Sequence, residues 1–240
     1  MKAHRFLAAL LAIALAPVLG SCSGGNDDDG LAVVIIGEPD SIFEDGLRLS
    51  AGAQLVRDAT SSGIVALNAE GEVVPALGAS WIVTEDGRSF IFRLRQLNWP
   101  DGEPLTAEDA RASLVQSIAA LRGTSLGLDL RKVEEIRAMT NRVIEIRLTG
   151  AMPEFLHLLA QPELAITRDG ESIGPMVLER DGDTAILEAV APETIGLPEI
   201  QGDRGDQRLR LRALPGEEAN AAFSAGEAAA LLDGSIFTLP

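Results

Sequence analysis

The chain has 240 residues, with 36 Asp and Glu against 20 Lys and Arg, and its formal net charge at pH 7 is −16. Such acidity argues against a nucleic-acid partner, because nucleic-acid binding depends on basic side chains that neutralise phosphates. An acidic protein can favour cationic ligands, but solubility is the simpler explanation of the charge. The length is sufficient to bury a substantial core, as one large domain or as an unequal pair.

The first 21 residues have the features of a secretory signal peptide. Lys2, His4 and Arg5 precede an apolar run over residues 6–20. That run is shorter than the roughly 20 residues that a membrane-spanning helix needs. A basic start followed by a short apolar segment is typical of a signal peptide, which we assign to residues 1–21.

The end of this segment, Leu19-Gly20-Ser21-Cys22, resembles the lipobox of bacterial lipoproteins. The resemblance implies cleavage before Cys22 and a diacylglyceryl group on its thiol, and two acyl chains suffice for stable membrane anchoring. An ordinary secretory signal with an incidental cysteine is the alternative. Cys22 is the only cysteine, so a disulfide within the chain is excluded. Residues 22–30 are predicted to be a flexible, polar tether.

A continuous apolar run over residues 31–37 predicts a fully buried first strand. Glu38, Pro39, Asp40 and Ser41 follow it directly. Proline restricts the backbone around it and donates no hydrogen bond, so Pro39 is expected to end the strand.

A β-hairpin is predicted over residues 81–95. The turn Glu85-Asp86-Gly87 separates two strands, and Asp-Gly accepts the positive φ angles of tight hairpins. Phe90, Phe92 and Leu94 alternate with more polar residues, which predicts one buried face.

A helix is predicted from Thr106 to about Leu121. The hydroxyl of Thr106 can cap it, and Glu108 and Asp109 suit the positive first turn. Its apolar positions are expected to pack against the hairpin, and they are Ala110, Leu114, Val115, Ile118 and Leu121.

The later elements are predicted from alternation, turn residues and apolar periodicity. They are a hairpin from Lys132–Met139 and Arg142–Leu148, a short buried helix over Pro153–Gln161, a turn at Asp181-Gly182-Asp183, a strand over Leu209–Ala213 and a helix over Glu217–Ala225.

The stretch from Pro75 to Leu121 resembles the signature of extracellular solute-binding protein family 5, the solute-binding proteins of peptide and nickel ABC importers. The matching motifs are Pro75-Ala76-Leu77, Trp81, Asp86-Gly87, Leu94-Arg95, Trp99-Pro100-Asp101-Gly102 and Thr106-Ala107-Glu108-Asp109. Two later matches are partial, at Ile173–Leu178 and at Gly226-Glu227-Ala228.

The resemblance implies an α/β fold, with a mixed sheet and packed helices, that forms the first lobe of a type II periplasmic-binding-protein-like fold. Residues 31–240 would form this lobe, and the second lobe of the family is missing. A fragment, a truncated gene and a compact single-lobe protein all remain explanations.

The same resemblance implies a substrate-binding lipoprotein that captures peptides or similar small solutes in the periplasm. It would present them to an ABC permease in the inner membrane as a lipid-anchored monomer without a cofactor. A Glu-Pro turn near the ligand cleft of the family makes Glu38, Pro39, Asp40 and Ser41 the candidate ligand-binding residues. A non-transport envelope lipoprotein with an interaction or sensory role, a fragment without binding activity and an acidic-site hydrolase are the alternatives.

Catalytic side chains are scarce. After residue 21 the only histidine is His157, which lies between two leucines of an apolar helical pattern. The counts exclude a metal site of His and Cys, whereas a site of carboxylates alone remains open. The sequence therefore predicts that the chain is not an enzyme, and it favours Trp81 and Trp99 as core anchors over ligand-stacking residues.

Overall fold

The structure is a computed structural model that describes residues 30–46, 49–191 and 208–232. The predicted signal peptide at residues 1–21 and the thiol of Cys22 lie outside the described residues. None of the helices in this described part combines the length and the hydropathy needed to cross a lipid bilayer.

The secondary structure alternates between strands and short helices. The strands are β1 (Leu31–Ile36), β2 (Val65–Leu67), β3 (Val73–Pro75), β4 (Gly78–Val83), β5 (Ser89–Leu94), β6 (Val133–Thr140), β7 (Val143–Leu148), β8 (Thr167–Arg168), β9 (Glu171–Ser172), β10 (Met176–Asp181), β11 (Thr184–Ala189), β12 (Arg208–Leu214) and β13 (Ala230–Leu232). The α-helices are α1 (Ala51–Thr60), α2 (Ala107–Ala120), α3 (Ser125–Asp129), α4 (Phe155–Leu159) and α5 (Gly216–Ser224), and 3₁₀ turns occupy Pro39–Phe43, Leu130–Lys132 and Pro162–Leu164.

The first strand lies inside a five-stranded mixed sheet with the order β10-β11-β12-β1-β13. It runs parallel to both of its neighbours, and its alternate residues face opposite sides. Val33 and Ile35 pack with residues of α1 and the preceding 3₁₀ turn, whereas Val34 packs with α5. Cover on both faces explains the continuous apolar run. The prediction of full burial is wrong at Leu31, which is 50% exposed and belongs to none of the core clusters.

A second sheet, antiparallel with the order β4-β5-β7-β6, contains the two hairpins predicted for residues 81–95 and 132–148. Gly87 in the first turn has a φ of 65°, which glycine adopts without steric cost. Phe90, Phe92 and Leu94 are buried, so the predicted alternation is confirmed.

Helix α2 covers the buried face of this second sheet. The backbone N–H of Asp109 donates to the hydroxyl of Thr106 at 3.1 Å, and the backbone N–H of Thr106 donates to the carboxylate of Asp109 at 2.9 Å. This reciprocal pair is a capping box, and it starts the helix where the sequence predicts. The packing prediction is wrong for Val115, which is 45% exposed. The helix lies across β6 and β7 with Leu114 inward, and the next residue points about 100° away.

The later predictions hold with shifted bounds. Helix α4 begins at Phe155, because Glu154 is its N-cap. The turn at residues 181–183 joins β10 to β11, while the strand and helix predicted after residue 208 are β12 and α5. Helix α4 buries Phe155 and Leu159 in the same core as the four-stranded sheet.

Candidate functional site

A cleft of about 1110 Å³ lies where the two large sheets meet. One wall consists of residues 42–46, α1 and the first half of β10, which belong to the five-stranded sheet and its cover. The other wall consists of residues 96–100, the C-terminal half of α2 and residues 162–174. This volume is at the upper end of the roughly 300–1,000 Å³ of small-molecule pockets.

Exposed apolar side chains line the first wall. Val177 is 61% exposed and Leu178 is 38% exposed, and both belong to β10, the edge strand of its sheet. Phe43 lines the cleft beside them and is half-buried. Covering such side chains contributes about 25 cal/mol per Å² of apolar surface removed from water. The wall can therefore hold the apolar part of a ligand.

Polar side chains line the second wall. Among the described residues, Gln96, Asn98, Gln116 and Ser117 face the cleft without a side-chain hydrogen bond to the protein. Amide and hydroxyl groups both donate and accept, so they can match amides or hydroxyls of a ligand. The cleft thus offers exposed apolar side chains together with hydrogen-bonding groups.

Trp99 anchors the loop at the base of the second wall. Its ring is buried, and its indole N–H donates to a carboxylate oxygen of Asp109 at 3.3 Å. The guanidinium of Arg168 lies 4.7 Å from the ring centroid and pairs with Asp101. Trp81 packs on Phe92 with ring centroids 6.5 Å apart. These contacts give both tryptophans structural partners, which supports the interpretation of core anchors.

The carboxyl group of Asp109 links this loop to the cap of α2. Its partial burial acts to raise the pKa, but the hydrogen bonds from the backbone and hydroxyl of Thr106 and from Trp99 prevail. The net result is a pKa below the usual value for aspartate, so the carboxylate stays ionised and keeps its partners.

The four candidate ligand-binding residues lie immediately before the part of the chain that lines the cleft. The cleft lining begins at Ile42, and none of Glu38, Pro39, Asp40 and Ser41 contributes to it. Glu38 is exposed, while Pro39 starts the 3₁₀ turn. Ser41 is buried, and its carbonyl oxygen accepts a hydrogen bond of 2.7 Å from the hydroxyl of Ser50.

Asp40 has a partner within the protein. Its carboxylate accepts a hydrogen bond of 2.7 Å from the guanidinium of Arg180 on β10, and both side chains are largely exposed. The same guanidinium lies 4.0 Å from the ring centroid of Phe43. Asp40 therefore contacts the cleft lining only through Arg180, which pairs with Asp40 and also lies over the ring of Phe43.

The ionisable side chains among the described residues of the lining are Glu44, Asp45, Arg57 and Glu163. Arg57 donates to the carbonyl oxygen of Gly46 at 2.9 Å, and Glu44 accepts from the backbone N–H of Ser50 at 3.0 Å. With one basic and three acidic side chains, this part of the cleft carries a net negative charge.

The negative charge of Glu163 also affects the carboxyl group of Asp58 on α1. Burial raises the pKa of its carboxyl group, the negative charge of Glu163 raises it further, and Arg57 lowers it by less. The negative charge near Glu163 is therefore not neutralised by the neighbouring arginine.

Within the part of the chain that the structure describes, no group of three or more His, Cys, Asp or Glu side chains is arranged to hold a metal ion. His157 is exposed on α4. Its residue type had made it the one histidine to consider for catalysis, and it does not line the cleft.

Sequence reasoning missed most of the cleft lining. Residues 44–46, 116–117 and 162–163 carry no motif, and they come together only through the packing of α1 against the neighbouring elements. Two signals were present. Trp99 and Pro100 belong to the Trp-Pro-Asp-Gly motif, and Met176-Val177-Leu178 form the apolar half of β10.

Comparison with known proteins supports the family resemblance over the middle of the chain. Residues 72–189 match the family described as bacterial extracellular solute-binding proteins, family 5 middle. The predicted resemblance is confirmed over this segment. The family consists of solute-binding proteins and not enzymes, in agreement with the prediction made from the scarce catalytic side chains.

Two curated relatives from Escherichia coli strain K12 are similar to this chain. One, named as a probable deoxycholate-binding periplasmic protein, is 30% identical over 153 residues, which are 53% of this chain and 27% of the relative. The other, a nickel-binding periplasmic protein, is 33% identical over 101 residues, which are 41% of this chain and 19% of the relative. The chain thus matches about a quarter or less of these relatives, both of which are named as periplasmic proteins.

A solved structure shows the same fold. The ABC-transporter-associated periplasmic binding protein DppA from Helicobacter pylori, in complex with a peptide, matches with a TM-score of 0.65 and 17% identity. The match covers 82% of this chain and 45% of that protein. The predicted fold class is confirmed as a mixed α/β fold that corresponds to part of a type II periplasmic binding protein.

Proposed function

Because residues 72–189 belong to the bacterial extracellular solute-binding proteins of family 5, we propose that the chain captures a peptide or a similar small solute in the periplasm and passes it to an ABC permease. The cleft between the two sheets is the proposed binding site. The relatives are named for different solutes, so the proposal commits to the cleft and to a small ligand with an apolar part.

The observation that carries the proposal is a cleft that combines exposed apolar side chains with hydrogen-bonding ones. Val177, Leu178 and Phe43 supply apolar surface to the cleft, and Gln96, Asn98 and Gln116 supply amide groups that have no hydrogen-bond partner among the described residues. Exposed apolar groups beside unpaired polar groups are typical of ligand sites. The DppA match, a binding protein associated with an ABC transporter, supports the link to a permease.

Membrane attachment is a further part of the proposal. Cys22 would carry a diacylglyceryl group and hold a monomeric binding protein at the membrane surface. Intact mass measured on protein from the native envelope tests this, because the lipid adds mass that Cys22→Ser abolishes. An unmodified Cys22 in the membrane fraction would contradict the anchor.

The binding site is tested by calorimetry of the purified protein with a short-peptide pool, nickel ion and deoxycholate in separate titrations. We expect saturable binding, with a dissociation constant on the order of micromolar, for at least one of these probes. Ala120→Trp places a large ring in the cleft from α2 and should abolish that binding.

Ala119→Trp is the matched control, since Ala119 is exposed on the same helix and does not line the cleft. It should leave the binding unchanged. Absence of binding to every probe, or equal loss in both variants, would refute the cleft as the site.

A further inference from the structure

The cleft lining carries more acidic than basic side chains, and only some of these side chains form hydrogen bonds. Glu44 and Arg57 each hydrogen-bond to the backbone at the start of α1. Within the described residues, Asp45 and Glu163 have no hydrogen bond and no ion pair. Two carboxylates that face the cleft thus have no cationic partner among the described residues.

The position of Glu163 concentrates this charge beside α1. The 3₁₀ turn Pro162–Leu164 packs against α1, and Leu164 at its end is buried in the core. The turn therefore fixes the backbone of Glu163, whose half-buried side chain lies at the cleft surface. Partial burial lowers the local dielectric constant and strengthens the interaction of a carboxylate with a nearby charge.

The carboxyl group of Asp58 is close enough to Glu163 to respond to its charge. Its carboxyl pKa is raised by burial first and by Glu163 next, and the lowering by the adjacent Arg57 is smaller. The negative charge of Glu163 thus outweighs that of Arg57, which precedes Asp58 in the chain, in its effect on this carboxyl group.

We propose that the cleft selects solutes that carry a positive charge, an amine or a guanidinium, next to an apolar body. The cationic group pairs with Glu163 or Asp45, while the apolar body covers Phe43, Val177 and Leu178. This inference rests on the proposed binding function and narrows it to one class of solute. The proposed ligand would also differ in charge from that of the relative named for deoxycholate, because deoxycholate is an anion.

Three tripeptides that differ only in the charge of the middle side chain provide the test. The probes are Leu-Lys-Leu, Leu-norleucine-Leu and Leu-Glu-Leu, each N-acetylated so that the side chain of lysine is the only amine, and they are titrated into the purified protein at low salt. We expect the lysine peptide to bind at least about tenfold more tightly than the glutamate peptide, with the norleucine peptide between them. The ratio should shrink at high salt, because ions screen partly exposed charges.

Glu163→Gln removes the charge and keeps the shape of the side chain. It should bring the three affinities to within about threefold of one another, by the same loss of Coulomb attraction. Glu154→Gln is the matched control, because Glu154 is an exposed glutamate that precedes α4 and does not line the cleft. It should keep the full preference. If Glu163→Gln fails to fold, the same three affinities are measured in Asp45→Asn, which removes the other unpaired carboxylate of the described lining.

The outcomes distinguish the two proposals. Equal binding of the three peptides by the unchanged protein, or equal effects of Glu163→Gln and Glu154→Gln, overturns the charge selection and leaves the binding function in place. Binding of none of the three peptides overturns the charge selection, and the binding function falls with it only if the peptide pool, nickel ion and deoxycholate also fail to bind.

Discussion

The four-stranded sheet and the five-stranded sheet are built in opposite ways. Strands β4 to β7 and helix α2 come from one continuous stretch, residues 78–148, joined by hairpins and one capped helix. The five-stranded sheet takes β1 from residues 31–36 and its other strands from residues 176–232. The first region closes its sheet with neighbours in sequence, whereas the second needs strands from both ends of the described chain.

The buried cores of the two regions also differ, in their size and in their number of clusters. The four-stranded sheet belongs to one large cluster that includes Phe90, Phe92 and Trp99. The five-stranded sheet divides its buried residues between two smaller clusters, one on each face. Aromatic residues bury the largest areas, so the first region should contribute more to the free energy of unfolding. The second region contributes the exposed wall of the cleft.

The junction between the two regions is where the cleft forms. The hydroxyl of Ser172 donates to the carbonyl oxygen of Thr60 at 2.8 Å, and Gly174 packs directly on the backbone of the same residue. Helix α1 covers the five-stranded sheet, and residues 172–174 follow the core of the four-stranded region. These contacts therefore attach α1 to the four-stranded region. The shape of the cleft depends on this attachment.

The largest expected effect comes from the core of the four-stranded sheet. Phe92 is completely buried, and Phe92→Ala should lower the free energy of unfolding by about 3–5 kcal/mol through lost burial and a cavity. Urea denaturation measures this. The control is Ile82→Ala on β4, where the side chain is 64% exposed and the loss should stay within about 0.5 kcal/mol. Similar losses in the two variants would contradict the assigned core.

The next effect concerns the junction. A Cβ atom at Gly174 would overlap the backbone of Thr60 and Ser61, so Gly174→Ala should cost about 1–3 kcal/mol and loosen the two regions. Both tryptophans, Trp81 and Trp99, lie in the four-stranded region and report on it alone by fluorescence. The fluorescence and far-ultraviolet circular dichroism transitions should coincide in the unchanged protein and separate in the variant.

Gly150→Ala serves as the comparison, because a Cβ atom there meets nothing within 4 Å. Its two transitions should still coincide. Coincident transitions in Gly174→Ala as well would show that the junction does not couple the regions in this way.

The smallest expected effect concerns the N-terminal caps of α2 and α5, the helices that cover the two sheets. In the folded protein the pKa of Asp109 lies below its unfolded value of about 3.9, so its contribution to stability is present above that pH and is lost as pH falls through the folded pKa. Asp109→Asn should therefore cost about 1 kcal/mol at neutral pH, and the difference from the unchanged protein should vanish in acid. Denaturant unfolding between pH 2 and pH 7 measures it.

Glu218→Gln provides the contrast in α5. Glu218 occupies the equivalent position of the first turn, but the N-cap is Pro215 and no side chain caps the helix. The change should have little effect at any pH. A pH-dependent loss as large as that of Asp109→Asn would show that the helix dipole, and not the capping box, determines the effect.

Both hairpins of the four-stranded sheet, their buried faces and the capped helix could be predicted from sequence, because alternation, Asp-Gly turns and caps act between residues close in the chain. Glu145 shows the limit of this reasoning. Alternation assigns it to the polar face, yet it is 8% exposed, because Arg137 from the neighbouring strand and Arg147 cover it. Cross-strand cover depends on the register between strands, which local pattern does not specify.

The candidate site was less accessible to sequence. The segment Glu38–Ser41 was predicted from a resemblance, and it lies just before the lining, with Asp40 connected to the cleft through Arg180. Glu163 carried no signal at all, since a single glutamate after a proline is common on protein surfaces. Its position beside α1 follows from the packing of the 3₁₀ turn.

By itself the sequence determined the local elements and the family, because side-chain periodicity, turn chemistry and motif spacing are properties of short stretches. Only the tertiary structure decided that β1 lies between β12 and β13, and that residues 42–46, 96–100 and 162–178 enclose one cleft. The physical reason is that an apolar strand can pair with any suitable edge. The choice among partners far apart in the chain is made by the packing of the whole core, which also places the charges of the cleft.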